Sequence, residues 1–180
     1  MMNFCWQFKV CAKSNNTQLK AEIMRIVILN GPNLNLLGRR EPSIYGTKTM
    51  EQVLVDIQRA YPEVYLEYHQ SNHEGDLIDW VQEASASTAS LEDSCNASYR
   101  SEVKGVILNA GGYTHTSVAL RDAVACCEVP VVEVHISDIT KREAFRRVSM
   151  LTDVCQHTII GHGIDGYKEA IDWIIKQNTL

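Results

Sequence analysis

The chain has no uninterrupted apolar run of about 20 residues, the length a bilayer-spanning helix requires. It also lacks an excess of positive charge: 17 Lys and Arg stand against 22 Asp and Glu, a net charge of −5. An acidic surface is not drawn to nucleic acid or to anionic membrane, so neither is expected as a partner. Paired cysteine motifs are missing too. Cys5, Cys11, Cys95, Cys126, Cys127 and Cys155 are scattered with no CxxC spacing, and 180 residues with 45% hydrophobic content can close one core without disulfides. These thiols read as reduced, and the location as cytoplasmic. No acidic residue precedes Glu22, yet Gln7 and Lys9 interrupt the apolar Phe4, Trp6 and Phe8, which makes the start of the chain a poor secretory segment. Whether it serves targeting stays open. His69 and His73 have metal-like spacing but no third ligand of suitable type, so no metal is expected.

What the chain does have is alternation. Residues 13–20 are polar and aperiodic, which sets residues 1–22 apart as an appendage and opens a single domain at 23–180. Short Val/Ile-rich runs at Arg25–Asn30, Val64–His69, Val103–Asn109, Val131–Ile136 and His157–Ile160 predict strands. Helical patterns fall at Thr49–Ala60, Leu77–Ala86, His115–Cys126, Arg142–Val148 and Gly166–Lys176. Strands that are continuously apolar rather than alternating belong to a parallel sheet covered on both faces. The fold class is therefore α/β, a doubly wound, flavodoxin-like sheet of five parallel strands. A small, polar, aperiodic stretch at about 85–101 reads as a surface insertion.

Ligands of such sheets bind beyond the carboxyl ends of the strands, which is where the chemistry should lie. After the first strand, Gly31 and Pro32 force a turn that leaves Asn33 at the sheet end. Gly38 and Gly46 then bracket a segment that reads as a mobile lid carrying Arg39, Arg40 and Tyr45. A phenol of pKa about 10 must lose roughly three units, or about 4 kcal/mol, to act as a base near neutrality. One guanidinium about 4 Å away supplies roughly that much at an effective dielectric near 20. The plainer alternative is a packed Tyr45 ring beside solvated arginines.

The third strand ends in Asn109, followed by Gly111 and Gly112, whose bare backbones let a ligand approach, and by His115. Thr114 or Thr116 could cap the helix that follows. On the fourth strand, period two puts Glu133 and His135 on one face, where a carboxylate can fix the tautomer of an imidazole for general acid work. The amides around Ser137 could hold a carboxylate. Arg142 and Arg146, at i and i+4 on an expected helix, could face one anion. The GxGxxG at Gly161–Gly166 lacks the chain length for a dinucleotide fold and reads as a strand-to-helix turn.

Five ordered segments, ILNGPNLNLLGRREPSIYG, QSNHEGDLIDW, ILNAGGYTHTSVALRDA, VEVHISDITKREAFR and GIDGY, resemble the type II 3-dehydroquinate dehydratases. The resemblance runs from Met24 to about Lys176. It implies dehydration of 3-dehydroquinate to 3-dehydroshikimate through an enolate, in the shikimate pathway or in quinate catabolism, without metal or organic cofactor. By that resemblance Tyr45 is the base, Arg40 keeps it ionised, and Asn33 holds the water that stabilises the enolate. His135 protonates the departing hydroxyl and Glu133 orients it. Asn109, His115 and Arg146 bind ring hydroxyls, and Ile136 and Ser137 bind the carboxylate. Asp122 reaches into a neighbouring subunit's site, which implies trimers assembled into a dodecamer.

Read from the residues alone, acid–base elimination fits better than a Schiff-base route, since the eight lysines are expected in tails, loops and helix flanks rather than inside a strand. The alternative is a non-catalytic flavodoxin-like binding module. A magnesium-binding receiver would place acidic residues where this first strand ends in Asn-Gly-Pro-Asn, and a flavin carrier would be yellow.

Overall fold

Each apolar run forms a strand, and every neighbouring pair is parallel. In the computed structural model, which describes residues 24–39, 46–86 and 102–179, the strands are β1 (Met24–Asn30), β2 (Val64–Gln70), β3 (Val103–Asn109), β4 (Val131–His135) and β5 (His157–Ile160). The helices are α1 (Met50–Ala60), α2 (Glu74–Ala86), α3 (Val118–Ala125) and α4 (Gly166–Asn178). The sheet order is β2-β1-β3-β4-β5, the expected flavodoxin-like arrangement. Chain direction across the sheet reverses between β1 and β3, and a crevice opens beyond their carboxyl ends at such a switch point. Asn30 pairs in register with Asn109, so these two strands end level.

Alternate residues of the strands feed two cores. Ile26, Ile28, Ile107, Val132 and Val134 pack against Val53, Leu54 and Ile57 of α1 and Ile171 and Ile174 of α4. Val27, Leu29, Val106, Leu108 and Val131 pack against Leu77 and Val81 of α2 and Leu120 and Val124 of α3. Each fully buried aliphatic side chain of this kind stabilises the fold by about 1.5–3 kcal/mol. Two helices on each face explain why the strands read as unbroken apolar runs. Among the described residues no helix is long and apolar enough to cross a membrane.

Several boundaries differ from expectation for identifiable reasons. Thr49 is the cap of α1 rather than its first residue: it accepts from the Gln52 amide at 3.4 Å while the Gln52 side chain accepts from the Thr49 amide at 3.0 Å. Helix α2 starts three residues before Leu77, because Ser71 accepts from the His73 amide and turns the chain, and Glu74 and Asp76 suit the positive end of the helix dipole. Ser85 and Ala86, expected at the start of a surface stretch at about 85–101, belong to α2; residues 87–101 lie outside the described residues, as do residues 1–22, Arg40 and Tyr45. The expected helix from His115 to Cys126 divides into a 3-10 turn, Gly111–His115, and α3, which is capped by Ser117 and not by Thr114 or Thr116. Arg142–Val148 is not a helix. Extended backbone at Arg142 and Glu143 breaks it, leaving 3-10 turns at Ile139–Lys141 and Ala144–Arg146. Lys104 corrects the reading of the lysines: it lies inside β3, at the end of the strand away from Asn109, paired with Glu102.

Candidate active site

At the switch point, the first turn is built by close contact between backbones. Gly31 donates to the Asn109 carbonyl at 2.7 Å, and a Cβ on Gly31 would lie 2.4 Å from the Ala110 carbonyl oxygen. Only glycine fits. Asn33 then takes a left-handed conformation, φ 68°, which asparagine tolerates better than most residues, and its amide donates to Asn72 Oδ1 at 2.9 Å. Gly111, at φ 59°, lies against the Pro32 carbonyl and also lines the cavity, so its missing side chain serves this backbone packing as well as ligand approach. Gly112 faces the cavity as expected.

Asn33, Asn109, Gly112, His115, His135, Ile136, Ser137, Arg142 and Arg146 line one cavity of about 130 Å³. All nine were picked out from the sequence, seven of them also through the family resemblance; Tyr45 and Arg40 fall outside the described residues. Asp122 is elsewhere. It is exposed on α3, beside a second hollow of about 610 Å³ between α2 and α3. Arg142 and Arg146 share the cavity although they share no helix; Arg142 Nη2 donates to Ser137 Oγ at 2.8 Å.

Two histidines present opposite nitrogens to the cavity. His135 Nε2 lies 2.8 Å from Glu133 Oε1, so that nitrogen carries a proton toward the carboxylate and Nδ1 is left for chemistry. His115 Nδ1 lies 2.7 Å from the Val148 carbonyl, which can only accept, so Nδ1 is protonated and Nε2 is the free nitrogen.

Glu133 is 0% exposed. Burial pushes its carboxyl up, but hydrogen bonds from His135, Ser149 and Thr114, together with the adjacent imidazole charge, outweigh this and hold it at about 2. Oε1 accepts from Thr114 Oγ1 at 2.7 Å and Ser149 Oγ at 2.6 Å, and Oε2 from Thr152 Oγ1 at 2.7 Å. These hydroxyls were not foreseen: serine and threonine carry no sequence signal for which partner they will meet.

Tyr167 was also missed as a site residue, although it ends the GIDGY segment. Its ring is buried under the sheet and its hydroxyl joins two strand ends, donating to Asn30 Oδ1 at 2.8 Å and accepting from Asn109 Nδ2 at 3.1 Å. Gly111 fixes the direction of this chain, because its backbone N–H can only donate and therefore faces Asn109 Oδ1, at 3.3 Å. The Asn109 amide nitrogen must then point at Tyr167. Of the discounted signals, His69 is occupied by Glu67 at 2.6 Å and stacks on Trp80, and Gly161–Gly166 forms the turn between β5 and α4.

A flavodoxin-like sheet with a carboxylate–imidazole pair, a second imidazole, amides and guanidinium groups around its switch-point cavity defines an α/β enzyme of acid–base type. Among the described residues, none lining that cavity is a lysine. The sequence matches the class II dehydroquinase family over residues 24–175. It is 47% identical over 154 residues to a 3-dehydroquinate dehydratase of Exiguobacterium sp., covering 85% of this chain and 95% of that protein. The 3-dehydroquinate dehydratase of Dinoroseobacter shibae is 48% identical over 153 residues, 84% and 92% of the two chains. A crystal structure of type II dehydroquinase from Butyrivibrio crossotus aligns with a TM-score of 0.73 at 40% identity, covering 84% of this chain and 97% of that one. The chain belongs to the class II dehydroquinase family. Nothing in these relationships favours the non-catalytic binding module.

Proposed function

We propose that this protein dehydrates 3-dehydroquinate to 3-dehydroshikimate by acid–base elimination through an enolate. The observation that carries the reading is the Glu133–His135 pair, whose imidazole opens onto the same cavity as Asn33, Asn109 and His115. Tyr45, kept ionised by Arg40, removes the proton next to the ketone, and the electron pair moves onto the carbonyl oxygen. A water held by Asn33 stabilises that charge. As the enolate collapses, the bond to the hydroxyl β to the ketone breaks, and His135 delivers the proton from Nδ1 so that it leaves as water. Glu133 accepts from His135 Nε2–H before and after this transfer, which fixes the ring and leaves only Nδ1 to gain and lose the proton.

Asn109, through the second N–H of its amide, His115, through Nε2, and Arg146 bind ring hydroxyls. Ser137 and Ile136 hold the substrate carboxylate, aided by the Arg142 guanidinium beside Ser137. None of these steps uses a metal, an organic cofactor or a lysine adduct. Asp122 serves a neighbouring copy, in trimers that build a dodecamer; its exposure and its distance from the cavity of its own chain support this. The protein is cytoplasmic, and its reaction serves aromatic biosynthesis or quinate breakdown, which share this chemistry. Residues 1–22 are an appendage outside the catalytic domain, so a chain starting at Met24 stays active.

The deciding measurement is addition of 3-dehydroquinate to the pure protein in the presence of chelator. Growth of the ultraviolet absorbance of a conjugated enone is expected. A flat trace from folded protein overturns the proposal.

A further inference from the structure

We propose that Ser149, with Thr114 and Thr152, positions the proton donor: these hydroxyls fix the Glu133 carboxylate against His135, and the turn that holds Ser149 keeps His115 in register with the pair. This rests on His135 being the acid of the proposed elimination. Among the described residues Glu133 is the one buried carboxylate, and no Lys or Arg pairs with it. Replacing a buried charge by apolar groups is often neutral or stabilising, so a cage of hydroxyls around an ionised carboxylate gives the fold little that packing would not. What the cage does provide is orientation. Oε1 receives His135, Thr114 and Ser149, while Oε2 receives Thr152 at 2.7 Å and Thr158 at 3.3 Å. Donors on both oxygens leave the carboxylate no freedom to rotate away from the ring.

The same turn supports the other histidine. The Val148 carbonyl faces His115 Nδ1, and the Met150 amide donates to the Thr114 carbonyl at 2.8 Å. Between these two anchors, Ser149 Oγ accepts from the amides of Leu151 at 3.0 Å and Thr152 at 3.3 Å, closing the turn on itself, and lies 2.8 Å from Thr114 Oγ1. Ser149 is thus the point at which the supports of both histidines meet. The titratable groups facing Glu133 are His135 on its own strand and Cys155 from the segment before β5. Burial, and then the negative Glu133, push the Cys155 thiol up to about 12, so it stays neutral through the range of the test.

Hydroxyl donors favour the ionised carboxylate, so removing one raises the pH at which Glu133 takes up a proton. The experiment compares pH profiles of kcat and kcat/KM for wild type, Ser149→Ala, Ser149→Thr, Thr152→Val and His135→Ala, each checked by circular dichroism. Ser149→Ala should lower kcat by about 10- to 100-fold, the loss of a hydrogen bond to a charged group, and move the acid limb to higher pH. Ser149→Thr, which keeps the hydroxyl, should recover most of the activity. If Ser149→Ala does not fold, Thr152→Val decides, because it removes one donor from Oε2 at nearly constant shape. A folded Ser149→Ala, or failing that Thr152→Val, with wild-type kcat and an unmoved acid limb overturns the inference. Near-normal turnover in His135→Ala instead overturns the elimination reading on which it rests.

Discussion

The Tyr167 hydroxyl lies 3.1 Å from Asn109 Nδ2 and 2.8 Å from Asn30 Oδ1, so one phenol from α4 spans the carboxyl ends of the two central strands. Tyr167→Phe leaves a buried carbonyl oxygen and a buried amide without partners, a loss of about 1–3 kcal/mol in stability. It also frees the Asn109 amide to turn. Urea unfolding should show the loss, and steady-state kinetics should show KM rising more than kcat falls. An unchanged KM would mean that Asn109 does not depend on Tyr167 for its orientation.

The proposed acid and base sit on separate elements and should fail separately. Tyr45→Phe and His135→Ala are each expected to lower turnover by about 10²-fold or more, the range for a general acid or base. Circular dichroism should remain native. Normal turnover in Tyr45→Phe would remove it as the base. Borohydride with substrate should leave the wild type active, whereas inactivation would reveal a lysine adduct.

Stability should fall on acidification through a defined window. The folded Glu133 carboxyl titrates at about 2, below its ordinary 4.5. Its contribution is therefore complete above about pH 4.5 and is lost as pH falls toward 2. Glu67 behaves alike: burial raises it, but His69 and Arg25 bring it down to about 2. Urea midpoints measured across this window should decline steeply in the wild type and less steeply in Glu133→Gln. Parallel slopes would show that the Glu133 carboxylate is not the group being titrated.

Gly31→Ala should be among the most damaging small substitutions in the chain. Its Cβ would meet the Ala110 carbonyl at 2.4 Å, a backbone contact that no rotamer can relieve. Spreading β1 from β3 should cost about 1–3 kcal/mol and displace Asn33 and Asn109 together. Thermal unfolding and turnover should both decline; a stable, active variant would show that the turn can open without disturbing the site.

Much of this is legible in the amino-acid sequence. The run ending at Asn30 and the run ending at Asn109 announced buried parallel strands, and Gly31 announced a turn. Glu133 and His135 shared a face by period two alone, and they do lie 2.8 Å apart. Such inferences hold because alternation and turn chemistry act over a few residues. The expected helix at Arg142–Val148 failed because apolar and basic spacing cannot foresee the extended backbone at Arg142 and Glu143. Even so, Arg142 and Arg146 reach one cavity, by way of two tight turns.

The amino-acid order by itself determined the five strands, the four helices packed on them, the parallel pairing and the end of the sheet at which chemistry lies, because each is written in local periodicity. Tertiary structure alone decided which hydroxyls surround Glu133 and which phenol aligns Asn109. Thr114 and Ser149 stand 19 and 16 positions from Glu133, and Tyr167 stands 137 from Asn30. Contacts at such separations depend on strand register and on how a helix seats against the sheet, and a lone serine, threonine or tyrosine gives no local sign of either.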